Sequence, residues 1–128
     1  ILTPKEATAS ARLVMLYDEL RDLIREYQPE IAAVEKLFFS RNVTTALAVG
    51  QARGVVMLCL EQAGIEAFEY TPNEVKQAVA GYGSAQKKQV QEMVRALLAL
   101  DSIPKPDDAA DALAIAITHL STKRYDLM

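Results

Sequence analysis

Between two long helical patterns, the run Ile31-Ala32-Ala33-Val34 carries no polar residue and then stops on a carboxylate, Glu35. Such a run lacks the alternation of a strand with one wet face and suits a strand covered on both sides, as in a parallel sheet. Ahead of it, Leu13, Leu16, Leu20, Leu23, Ile24 and Tyr27 recur at helical steps, stopping before Gln28-Pro29. Thr3-Pro4-Lys5-Glu6 has the pattern of a helix start, with a cap, a first-turn proline and a capping-box glutamate. After the strand, a second helix is expected over about 43–63, capped by Asn42 and stopped by Gly64.

Residues 65–70 form a second strand candidate. Thr71-Pro72-Asn73-Glu74 repeats the capping-box pattern and opens a short helix ending near Ala80. Gly81-Tyr82-Gly83 is a turn, and Ser84 opens a further amphipathic helix. Residues 101–107, with two prolines, link to a last helix over about 108–120, whose interior is apolar all round and is expected to be buried. The polar tail 121–128 is expected to fray. Helix, strand, helix, strand, helices is an α/β order with parallel strands. Two strands do not make a stable sheet, so the pattern asks for more strands before Ile1. The 128 residues are expected to form a single domain, incomplete at its start.

Composition narrows the function classes. One cysteine, Cys59, makes no internal disulfide and is expected in the core. No apolar run is long enough to span a membrane. With no secretory pattern either, a cytoplasmic protein is expected. The net charge of −3 argues against a generic nucleic-acid coat, though a local basic stripe can coexist with an acidic total.

Asp108 and Asp111 share one face at a helix start. Capping and the helix dipole account for such a pair by themselves. A carboxylate at the mouth of an apolar helix nevertheless needs a partner, and a divalent cation is one. Glu35 stands at the carboxyl end of a strand, where open α/β sheets bind ligands, although an ordinary surface glutamate fits there too. Three converging carboxylates with no Cys/His cluster favour Mg²⁺ or Mn²⁺ over zinc. Such ions activate water and stabilise the leaving oxygen in phosphodiester cleavage. Lys76, Lys87 and Lys88 lie near helix starts, as phosphate contacts or as solvated lysines. Phe38 and Phe39 sit in a loop flanked by Lys36 and Arg41, either stacking on a base or folding inward. His119 is a possible base but is better read as a structural histidine or a helix C-terminal charge.

Taken in order, Ala33-Val34-Glu35-Lys36-Leu37-Phe38, Gly50-Gln51-Ala52-Arg53-Gly54, Val75-Lys76-Gln77-Ala78, Gly81-Tyr82-Gly83-Ser84-Ala85-Gln86-Lys87 and the stretch from Asp108-Ala109-Ala110-Asp111 to His119 resemble the RuvC family of Holliday junction resolvases. The resemblance implies an RNase H-like fold, with a parallel or mixed sheet flanked by helices, whose first three strands precede this chain. It implies a homodimer that nicks opposing strands of four-way junction DNA symmetrically, with Mg²⁺ or Mn²⁺, alongside RuvA and RuvB. It matches Glu35, Asp108 and Asp111 to catalytic, metal-holding acids. A fourth, a first-strand aspartate, has no counterpart here, which leaves a non-catalytic dimeric junction-binding module as the alternative. Lys76 and Lys87 match positions that contact DNA, and Phe38 matches an aromatic near the cut. The helix bearing Ala46, Gly50 and Gly54 matches the family's dimer contact. Intramolecular helix-on-sheet packing explains those small residues equally.

Overall fold

The computed structural model describes residues 1–36 and 43–126, the side chains of 43, 44 and 123–126 excepted. In chain order the elements are α1 (Ala9–Tyr27), β1 (Ile31–Glu35), α2 (Val43–Gln62), β2 (Glu66–Tyr70), α3 (Pro72–Ala80), α4 (Lys87–Leu97) and α5 (Asp107–Asp126). The two strands pair as a small parallel sheet. The chain divides into two compact units. The first holds α1, α2 and the strands as far as Ala32 and Ala67. The second takes up the strands at Ala33 and Phe68 and holds α3, α4 and α5.

In the first unit α1 packs along α2. The helix begins at Ala9, capped by the Thr8 hydroxyl, which accepts from the Ala11 N–H at 3.1 Å. The expected start at Thr3 is therefore displaced by one turn, and the Thr3 hydroxyl instead accepts from Arg12 Nε at 2.8 Å. Between the helices, the Tyr17 hydroxyl donates to Gln62 Oε1, and Cys59 Sγ donates to the Tyr17 carbonyl at 3.7 Å. Cys59 is buried, as expected, and burial pushes its thiol pKa up, against a smaller lowering by Arg21. Gly64, at φ +70°, ends α2 where the sequence places the stop. The proposed Asn42 cap lies outside the described residues.

The second unit holds a core of Tyr70, Val75, Val79, Val94 and Ala114. Val94 is fully enclosed, and burying a side chain of that size contributes about 1.5–3 kcal/mol. α3 opens with the expected capping box, the Glu74 N–H on Thr71 Oγ1 and the Thr71 N–H on Glu74 Oε1, both at 3.1 Å. α4 begins at Lys87 rather than Ser84, because Gln89 Oε1 accepts the Gln86 N–H at 2.8 Å and closes the end there. α5 runs on to Asp126, past its expected end at 120.

Burial is less complete than the apolar runs suggest. Ile31 is 43% exposed and Ala32, Ala33 and Val34 are half-buried; among the described residues β1 pairs with β2 alone. In α5, Ala110, Ala114 and Thr118 are enclosed where the helix meets α3 and α4, whereas Ala112, Ala116 and Leu120 are exposed. Among the described residues, no helix is long and apolar enough to cross a membrane.

Candidate active site

A cleft of about 300 Å³ in the second unit brings together residues from four elements. Glu35 reaches it as the last residue of β1. The backbone there is held by the Lys36 N–H, which donates to the Tyr70 carbonyl at 2.7 Å. Lys76 comes from α3, Lys87 from the start of α4 and Asp111 from α5. Val75, Val90, Ala114 and Ile115 form the apolar floor. The capping box of α3 and the glutamine cap of α4 therefore set where the two lysines enter.

Charge in the cleft is organised around Lys87. Its Nζ lies 3.4 Å from Asp107 Oδ2 and 3.8 Å from Asp111 Oδ2. The Asp111 carboxylate, followed by Asp107 and Asp108, holds the ammonium above its ordinary pKa. Lys87 is thus a fixed positive charge at neutral pH. Gln91 Nε2 donates to Asp107 Oδ1 at 3.4 Å. Gln91 had no place in the sequence reading, which put Asp107 in the linker 101–107. The Asp107 pairing depends on where α4 ends up beside α5, and the i, i+4 step from Lys87 to Gln91 is its only trace in the sequence.

The proposed site residues thus separate in space. Glu35, Asp111, Lys76 and Lys87 line one cleft. Asp108 is exposed in the first turn of α5 and acts on Lys87 through its charge, without lining the cleft. Lys88 lies in a separate groove beside Tyr82. Phe38 and Arg41 lie outside the described residues. His119 is buried, with Nδ1 2.6 Å from the Tyr70 hydroxyl and its ring 4.6 Å from that of Phe68, which is the structural role.

Among the described residues, no three His, Cys, Asp or Glu side chains stand close enough to share an ion. The donor chemistry still fits a hard cation, because the cleft offers carboxylates and neither thiol nor imidazole. On α2, a Cβ added at Gly50 or Gly54 meets nothing within 4 Å. Among the described residues, nothing packs closely against these glycines. Leu47 and Leu58 on the same face are 64% and 50% exposed.

Residues 1–119 match the family model described as crossover junction endodeoxyribonuclease RuvC. A Roseiflexus protein of that description is 60% identical over 119 residues, 93% of this chain and 71% of its own length. One from Desulfitobacterium hafniense is 62% identical over 117 residues, 91% of this chain and 71% of its own. The solved Thermus thermophilus RuvC structure superposes with a TM-score of 0.90 at 38% identity, over 98% of this chain and 76% of that one. T. thermophilus RuvC in complex with a Holliday junction substrate gives 0.88 at 35%, over 98% and 75%.

Proposed function

Because this chain belongs to the RuvC family of crossover junction endodeoxyribonucleases, we propose that it resolves four-way DNA junctions by hydrolysing phosphodiester bonds at the Glu35–Asp111 cleft. The fold is RNase H-like. The observation that carries this placement is the meeting of two carboxylates with two ammonium groups in one cleft. Lys76 and Lys87 attract the phosphate, and each adds affinity that falls with salt without reading sequence.

The family is metal-dependent. Our choice of ion is Mg²⁺, with Mn²⁺ as a substitute, and Glu35 and Asp111 are the cleft carboxylates that would hold it. When bound, the ion lowers the pKa of its water and stabilises the leaving oxygen. Lys88 and Arg41 are assigned to phosphates and Phe38 to stacking on an unpaired base. Symmetric cutting calls for two copies, and the open Gly50 and Gly54 face of α2 is our choice for their contact. RuvA and RuvB are assigned as partners, and the cytoplasm as location, on family grounds.

The test uses a labelled four-way junction with Mg²⁺ or with EDTA. Paired nicks that need the metal are expected. Asp111→Asn should slow cutting by about 100-fold or more while junction binding persists. Unaltered cutting by that variant removes Asp111 from the site. Binding without nicks by the unaltered protein favours the non-catalytic module.

A further inference from the structure

The turn joining α3 to α4 borders a second groove, about 520 Å³, that the cutting cleft does not use. Tyr82, Gln89 and Met93 line it, with Lys88 among them. Its aromatic ring is presented by an anchored backbone. Gly81 adopts φ +92°, a conformation that disfavours any side chain, and turns the chain out of α3. Four residues on, the Ala85 N–H donates to the Tyr82 carbonyl at 3.3 Å, and Ala85 itself is 1% exposed. Tyr82 stays 44% exposed between these two anchors. A tyrosine ring, with only two side-chain torsions, loses little freedom on binding.

Consecutive residues of α4 line the groove and the cutting cleft. Lys87 and Lys88 are consecutive, so they point roughly 100° apart around the helix. One ammonium serves the carboxylate cleft and the next serves the groove. Glu92, also in the groove, is held by Arg95 Nε at 3.0 Å, so its charge does not stand alone against a phosphate. A nucleotide has a base face for the ring and a phosphate for the lysine.

We propose that this groove takes an unpaired nucleotide of the junction, its base stacked on Tyr82 and its phosphate on Lys88. The proposal rests on the endonuclease reading above and adds Tyr82 as a positioning residue for the strand leaving the cleft.

The test places 2-aminopurine at successive positions near the crossover and titrates the intact protein at several salt concentrations. The unaltered protein should quench the probe at one position. Tyr82→Ala should weaken binding about tenfold, with the salt slope unchanged and the quench lost. Tyr82→Phe keeps the ring face and should restore both. Lys88→Ala should lower the salt slope by about 0.7–0.9. Wild-type affinity and quenching in Tyr82→Ala overturn the proposal, as does failure of Tyr82→Phe to restore them. Junction cutting without any quench overturns it alone. A protein that neither binds nor cuts junctions overturns the endonuclease reading and this proposal together.

Discussion

Replacing Tyr70 with phenylalanine removes a single oxygen from an enclosed polar pair and keeps the ring. Tyr70 and His119 are 7% and 6% exposed, and the hydroxyl lies 2.6 Å from Nδ1. The other imidazole nitrogen, Nε2, is buried without a partner among the described residues. The variant therefore leaves both nitrogens of a buried histidine unbonded, with Phe68 packed 4.6 Å from the ring. A buried polar group stripped of its bond costs about 1–3 kcal/mol. Taking about 2 kcal/mol, the thermal midpoint of a chain this size should fall by roughly 6–10 °C. Circular dichroism melts of both proteins measure this. Adding His119→Leu to Tyr70→Phe removes the stranded group as well, so the double variant should be more stable than Tyr70→Phe alone. A midpoint shift under about 1 °C, or a double variant that only adds a second loss, would refute the reasoning.

Gly54→Leu should fold without loss of stability. Its Cβ meets nothing within 4 Å, and a glycine inside a helix costs about 1 kcal/mol against alanine. If α2 carries the contact between copies, sedimentation should show the variant as monomer, and an intact dimer moves that contact elsewhere. Lys76→Ala and Lys87→Ala should each reduce the slope of log affinity against log salt by about 0.9 for duplex arms, and an unchanged slope takes that lysine off the phosphate. Cys59, 1% exposed and with its pKa pushed up by burial, should alkylate far more slowly at pH 8 in the native protein than in urea. Equal rates would place the thiol outside the α1–α2 packing.

How much of this was legible in the sequence depended on whether the signal was local. The Thr71 capping box and the Gly64 stop were legible because each is closed by atoms within a few residues. Strand β1 was legible from its composition, but its burial was not, since that depends on how many strands flank it. The start of α1 was misplaced because Thr3-Pro4-Lys5-Glu6 and Thr8 both offer caps, and Thr8 is the one whose hydroxyl meets a helical N–H. At the site, Glu35, Asp111 and Lys87 were each legible near element ends, whereas the pairing of Lys87 with the aspartates was not. The Lys87 ammonium reaches Asp107 and Asp111 only because the Gln86–Gln89 cap delays α4 by one turn beyond Ser84. That delay has a consequence for the chemistry. It sets one lysine of a consecutive pair against the carboxylates and leaves the other facing Tyr82. A single helix start thus decides both how the acidic cleft is balanced in charge and which lysine faces Tyr82.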